Sequence, residues 1–204
     1  SGQAGELRAD LAKAVFLDRD GTLIQERNYL SSPEQVSLLP YCSQALRILA
    51  DAGYHLILIT NQSGIARGYF TMDDFLRVQE RFQSLLAKDG IQLDASFVCP
   101  HHPEAPILEY RLSCDCRKPR PGLLDRAAKE LSLDLKQSWI IGDKADDIRL
   151  SVSRPLKPLL VRSGHGSEQE EELLREFPSL AVADDIMEAA RIIVARETQD
   201  EASP

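Results

Sequence analysis

The chain has 204 residues, 43% of them hydrophobic and 27% charged, with a formal net charge of −8. That length can bury one proper core, and the composition is ordinary for a soluble globular protein. No apolar run is long enough to cross a bilayer, no basic-then-apolar start marks a secretory leader, and the acidic balance counts against broad nucleic-acid binding, so the cytoplasm is the expected location.

The first apolar run, Val15, Phe16 and Leu17 in "KAVFLD", predicts a buried strand. Asp18 and Asp20 follow where it ends, and Gly21 lets the chain turn. Two carboxylates so close repel unless a cation or a shared proton offsets the charge. The pair therefore asks for a metal ion, an acid–base task, or both. A helix over 41–52 stops at Gly53 and carries Cys42, which reads as a buried packing residue.

"YHLILITN" is the second strand. It ends at Thr60, whose hydroxyl and backbone N–H suit a phosphate oxygen; Asn61 adds a donor, and the Ser63-Gly64 turn can aim backbone N–H groups at an anion. His55 reads as structural. A helical stretch follows, with Thr71 as its N-cap and Gly90 as its stop. "ASFVCP" is the third strand.

Beyond it, Cys99, His101, Cys114 and Cys116 offer three thiolates and an imidazole, a set suited to a closed tetrahedral Zn²⁺. The one-residue gaps are shorter than in common zinc fingers, His102 is an alternative to His101, and the competing reading is a set of reduced loop thiols. In "CRKPRPG", Lys118 is a compact charge for a phosphoryl group and Arg117 can fork onto a second anion, though alone the run reads as a solvated basic patch.

"PGLLDRAAKELSL" is a helix with Pro121 at its first turn. The fourth strand, "SWIIGD", opens on Trp139, expected in the core, and delivers Asp143 past a glycine. Asp146 and Asp147 sit in a first helical turn, where the helix dipole favours carboxylates. Asp18 and Asp143 can supply the carboxylates of an Mg²⁺ site. Pro155 must end the helix that precedes it. "PLLVRSG" is the fifth strand, and His165 in the loop after it is not expected to reach substrate. The acidic "SEQEEELLREF" reads as a solvated helix face, and "DDIMEAARIIVARE" as an amphipathic closing helix.

Strands alternating with helices imply a Rossmann-like open parallel α/β sheet with helices on both faces. One domain is expected over 13–197, with 1–12 and 198–204 disordered. Ligands bind beyond the carboxyl ends of such strands, and Asp18, Thr60, Cys99 and Asp143 all lie at or just past one.

The ordered string "FLDRDGTLI", "TNQSGIARGYF", "CPHH", "CDCRKPRPG" and "GDK" resembles the haloacid dehalogenase superfamily of phosphohydrolases, and within it the heptose-1,7-bisphosphate 7-phosphatase family. The histidinol-phosphate phosphatases share most of these motifs. The resemblance runs from about Ala14 to Gly166. It implies Asp18 as the nucleophile that becomes an aspartyl-phosphate, and Asp20 as the acid that protonates the departing sugar oxygen and then the base for water. It further implies Mg²⁺ on the Asp18 side chain, the Asp20 carbonyl and Asp143, with Thr60 and Lys118 holding the phosphoryl group. Glu26, Arg27, Asn28, Tyr29, Asn61, Gln62, Ser63, Arg117 and Lys144 would line the substrate pocket. Cys99, His101, Cys114 and Cys116 would hold a structural Zn²⁺ that fixes where Arg117 and Lys118 point.

The expected substrate is a small phosphorylated sugar, a heptose 1,7-bisphosphate in ADP- or GDP-heptose biosynthesis, with histidinol phosphate as the alternative; the expected state is a monomer that binds neither nucleic acid nor membrane. A zinc-bearing nucleic-acid module is the alternative of another class. No insertion is large enough for a cap domain, so an open site is expected. One departure from the family is Arg154-Pro155, where the family usually has a small-residue helix end with glycine.

Overall fold

The computed structural model describes residues 11–202. Six parallel strands form one sheet, β1 (Ala14–Leu17), β2 (His55–Asn61), β3 (Ala95–Cys99), β4 (Trp139–Gly142), β5 (Lys157–Val161) and β6 (Ala181–Ala183), in the order β3-β2-β1-β4-β5-β6. The helices are α1 (Cys42–Asp51), α2 (Ser63–Ala66), α3 (Met72–Lys88), α4 (Gly122–Leu131), α5 (Ala145–Ile148), α6 (Leu150–Ser153), α7 (Gly166–Glu176) and α8 (Ile186–Glu201). This is the expected Rossmann-like α/β fold. The first five strands match the sequence reading. The sixth, three residues long, carries too little pattern to be read from sequence.

Strands covered on both faces read as continuous apolar runs, and β1 shows why. Val15 and Leu17 pack with α1, α3 and α8 on one face, while Ala14 and Phe16 pack with α4 on the other; all four are wholly buried. α3 buries Phe75, Val78, Phe82 and Leu86, spaced three and four residues apart to make one stripe. Its start is fixed reciprocally: the Asp74 N–H donates to the Thr71 hydroxyl at 3.0 Å, and the Thr71 N–H to the Asp74 carboxylate at 2.8 Å. Such a cap is worth about 1 kcal/mol.

α6 ends at Ser153, before Pro155, as the missing N–H of proline requires. Arg154 then turns its guanidinium onto Asp125 of α4 through two bonds of 2.6 and 2.7 Å. The Arg-Pro departure thus ties the α6–β5 connection to the neighbouring helix. Ala12 donates its N–H to Ser132 at 3.0 Å and bridges to Leu133, and α8 continues past residue 197 to Glu201. The remainder of the expectation for the two ends, 1–10 and 203–204, lies outside the described residues.

The sheet order reverses between β1 and β4. β1 runs on to β2 and β3 on one side, β4 to β5 and β6 on the other. Their ends are level: Leu17 pairs with Ile141, and the Asp18 N–H donates to the Ile141 carbonyl at 3.1 Å. The connections part there, which opens a crevice at the carboxyl ends of β1 and β4. Neither the 18–41 segment nor the 100–121 segment forms a separate cap.

Candidate active site

The crevice holds a cavity of about 220 Å³ whose walls include Asp18, Asp20, Gln62, Lys118 and Lys144. Asp18 leaves the end of β1 into it. Lys118 arrives from the opposite side, with its side chain 3% exposed. Its ammonium donates to Asp18 Oδ1 at 3.0 Å, to Asp147 Oδ1 at 2.6 Å and to the Ile59 carbonyl at 2.8 Å. An ammonium has three protons, so all of its donors are used and the charge is pinned. Burial alone would raise the Asp18 carboxyl, but the Lys118 and Lys144 ammonium groups outweigh it and hold it below the usual carboxylate range. Burial opposes the Lys118 charge, and the Asp147 and Asp18 carboxylates more than restore it.

Asp143 follows β4 and is wholly buried. The His165 N–H donates to its Oδ2 at 3.0 Å. Gly21 and Gly164 close over this carboxylate at φ +84° and +57°, and a Cβ at either would overlap Asp143 Oδ2. Only glycine fits there on both counts. Burial, then the Asp18 and Asp147 charges, push the Asp143 carboxyl up to about 9. Burial, then the Asp18 charge, partly offset by Lys118 and Lys144, push Asp147 up to about 7.

One carboxylate oxygen from each of Asp18, Asp143 and Asp147 lies within 4.8 Å of the others. Three buried acids sharing so little cationic charge are a fit for a hard divalent cation, which binds through one or two carboxylates and keeps other positions for water and phosphate. Asp147 is the member that sequence reasoning passed over as a helix-dipole residue. Its neighbour Asp146 has the same excuse, and only the turn of α5 shows that 147 faces Lys118. The Asp20 carboxylate stands apart from this cluster, where its Oδ2 accepts from Gln62 Nε2 at 2.9 Å and from Arg19 Nε at 3.2 Å.

The remaining residues divide. Glu26, Asn28, Tyr29, Asn61, Gln62, Ser63, Arg117 and Lys144 all line the cavity. Asn28 and Tyr29 hold φ of 47° and 63°, a costly conformation for a tyrosine, and the Tyr29 ring is braced edge-on by Tyr69 at 4.6 Å. Asn61 also clamps Lys118: its amide donates to the Lys118 carbonyl at 3.1 Å and accepts the Lys118 N–H at 3.0 Å.

Thr60 is not on the wall. Gln62 covers it, donating to Thr60 Oγ1 at 2.9 Å. Arg27 is exposed and bonds Gln25 at 3.0 Å instead. His165, not expected near substrate, is on the wall, with Nε2 3.8 Å from Glu26 Oε2.

At the end of β3 the cysteine loop closes on itself. Cys99 Sγ lies 3.5 Å from Cys114 Sγ, and His101 Nδ1 lies 3.7 Å from Cys99 Sγ and 3.3 Å from Cys116 Sγ. All four cysteines of the chain are free thiols. A tetrahedron with Zn–S bonds near 2.3 Å has edges of about 3.8 Å, so the four side chains fit zinc as they stand. His102 turns the other way, onto Arg67 at 3.2 Å, which favours His101 as the fourth ligand. Burial, then the bond with Cys116, hold the Cys99 thiol well above its usual range. A cation would reverse that. The His101 carbonyl accepts from Arg117 at 3.4 Å, joining this loop to the cavity wall. Cys42 and Trp139 are core residues as expected, 1% and 2% exposed. Burial, then Asp89, push the Cys42 thiol up to about 12.

A HAD-hydrolase-like family model matches residues 115–189. The chain is 42% identical over 182 residues to the D-glycero-β-D-manno-heptose-1,7-bisphosphate 7-phosphatase of Haemophilus influenzae, covering 89% of this chain and 96% of that protein. To the protein of the same name from Escherichia coli K12 it is 37% identical over 172 residues, covering 84% and 90%. Among solved structures, D,D-heptose 1,7-bisphosphate phosphatase from B. bronchiseptica, complexed with magnesium and phosphate, superposes with a TM-score of 0.77 at 30% identity, covering 90% of this chain and 99% of that one.

Proposed function

This chain belongs to the family of D-glycero-β-D-manno-heptose-1,7-bisphosphate 7-phosphatases, within the HAD-like hydrolases, and from that premise we propose that it removes the 7-phosphate of the β-anomer of that sugar through an aspartyl-phosphate on Asp18. The observation that carries the reading is the division of labour between two aspartates two residues apart. Asp18 is held as an anion by Lys118, while Asp20 stands outside the buried carboxylate cluster, its Oδ1 met only by Arg19 Nη2 at 3.5 Å.

An Asp18 oxygen attacks the phosphorus, and the bond from phosphorus to the sugar oxygen breaks. Asp20 delivers a proton to that oxygen, so the sugar leaves neutral. Asp20 then takes a proton from a water that attacks the same phosphorus. The phosphorus–Asp18 bond breaks, releasing phosphate and restoring the carboxylate. Lys118 holds Asp18 and neutralises charge on the transferring group, because such transfers are catalysed mainly by positioning and charge. Asp18, Asp143 and the Asp20 carbonyl would hold Mg²⁺, which supplies positive charge to the carboxylate and phosphoryl oxygens.

A sugar bisphosphate needs a second anion site, and Arg117 and Lys144 on the cavity wall suit it. Thr60, under Gln62, reaches the phosphoryl group only if that amide moves. Arg27 has no contact with the cavity, so its part in the pocket is the weakest of the set. Cys99, His101, Cys114 and Cys116 are read as a structural zinc staple that fixes Arg117 and Lys118 without entering the chemistry. The catalytic unit is taken as a cytoplasmic monomer over 13–197, feeding ADP- or GDP-heptose synthesis; among the described residues no helix is long and apolar enough to cross a membrane.

Phosphate release with Mg²⁺ tests the reading. Each anomer of heptose 1,7-bisphosphate is compared with histidinol phosphate. The β-anomer is expected to be turned over best. Preference for histidinol phosphate would keep the catalytic residues and overturn the substrate.

A further inference from the structure

The largest wholly buried side chain among the described residues is a charged one, Arg19, between the two aspartates of the cavity. Its neighbours Asp18 and Asp20 turn toward the crevice, and it turns away, under α3. A guanidinium removed from water must be paired and hydrogen-bonded. Its carboxylate partner is Asp20: Nε lies 3.2 Å and Nη2 3.1 Å from Oδ2, and Nη2 lies 3.5 Å from Oδ1.

The other side of the guanidinium is held by α3. Nη1 donates to Gln79 Oε1 at 3.2 Å, and the group lies 5.1 Å from the centre of the Phe75 ring, one helical turn earlier. Gln79 is itself buried and donates to Ser96 Oγ of β3 at 3.4 Å. A chain of contacts therefore runs from β3 through α3 and Arg19 to Asp20.

The contacts fall unevenly on the two carboxylate oxygens. Oδ2 receives Arg19 Nε and Nη2 together with Gln62 Nε2 at 2.9 Å; Oδ1 has only the long Arg19 contact of 3.5 Å. One oxygen is anchored and the other is left to carry a proton. Two carboxylates at adjacent alternate positions would otherwise compete for Lys118. A second cation, from the opposite side, separates them.

Resting on the phosphatase reading above, we propose that Arg19, braced by Gln79 and Phe75, is the positioning residue that holds the acid–base Asp20 by Oδ2 and presents Oδ1 to the leaving oxygen. Arg19 does not touch substrate; it acts through Asp20.

The test uses leaving groups. kcat/KM reports only the steps through the first irreversible one, here cleavage of the phosphate ester. A sugar oxygen needs the Asp20 proton to leave, and p-nitrophenolate does not. For Arg19→Met in the Mg²⁺-loaded protein, kcat/KM on heptose 1,7-bisphosphate is expected to fall about 50-fold, within the range for a misplaced general acid, and on p-nitrophenyl phosphate less than about fivefold. Arg19→Lys should recover part of the loss. Gln79→Leu leaves the arginine in place and should show the same selectivity at smaller size, so the question stays answerable if Arg19→Met does not fold.

Equal losses on both esters, or no loss on the sugar ester, would overturn the proposal while the phosphatase reading stands. A wild-type protein that hydrolyses neither ester would overturn that reading, and this proposal with it.

Discussion

The crevice between β1 and β4 and the cysteine loop after β3 both gather groups that repel or stay loose when left alone, and the fold deals with them differently. In the crevice the strands do the gathering. Asp18 and Asp143 leave adjacent strand ends, Lys118 fills all three of its donors, and Gly21 and Gly164 pack against Asp143. Within residues 100–121 there is no strand and only one short helical turn, Leu108–Tyr110, and Leu108 is 76% exposed. Three thiols and an imidazole meet there at distances that fit a tetrahedral cation. Charge pairing inside a core organises the first region, and a cation the chain does not itself supply would organise the second. Arg117 and Lys118, directly after Cys116, belong to both.

Asp18→Asn strikes the crevice hardest. Turnover should fall roughly 10⁴-fold or more, as for other nucleophile removals, with the melting temperature little changed because Lys118 keeps Asp147. Lys118→Met should break the region itself, leaving Asp18 and Asp147 buried without their cation. The expected cost is about 3–5 kcal/mol, a drop on the order of 10 °C in melting temperature for a domain of this size, together with loss of turnover. A Lys118→Met protein that melts with the wild type would mean that the two regions are not built differently after all.

Removing the proposed zinc with a chelator, or Cys116→Ser, should act on the loop and the two cations that follow it. Hydrogen exchange should quicken over 100–118 and leave the sheet protected. KM for the bisphosphate should rise about tenfold, more than kcat falls, if uniform binding is what Arg117 provides. Equal KM and an unchanged melting curve would show that the staple shapes nothing.

A further effect lies in the pH dependence of stability without added metal. Burial and two neighbouring carboxylates place the Asp143 carboxyl at about 9 in the folded protein, above its ordinary value. The folded state therefore holds the proton more tightly than the unfolded one. Stability from that group is full below the ordinary carboxylate range and lost as pH rises through about 9. Melting temperature in chelator is expected to decline from pH 6 to pH 9, and saturating Mg²⁺ should flatten the decline. An equal slope with and without Mg²⁺ would contradict the cation fit.

Much of this was legible in the chain. The apolar runs before Asp18, Thr60, Cys99 and Asp143 mark strands buried on both faces, and their alternation with helices implies one parallel sheet whose ends meet. What stayed hidden is whatever depends on side-chain direction. Asp146 and Asp147 are indistinguishable in sequence, yet 147 alone meets Lys118. Thr60 is the last residue but one of its strand, which runs on to Asn61, and Gln62 lies over it. Nothing in the sequence singles out Arg19, and only the turn after β1 sends it inward. β6 is too short to show a period.

The most direct measurement traps the intermediate. The Mg²⁺-loaded protein is quenched during steady turnover of heptose 1,7-bisphosphate, reduced with borohydride, which converts an aspartyl-phosphate to homoserine, and digested for mass spectrometry. Homoserine is expected at position 18, with Asp20 unmodified. Turnover with no reduced residue, or reduction at Asp20 instead, would contradict Asp18 as the nucleophile.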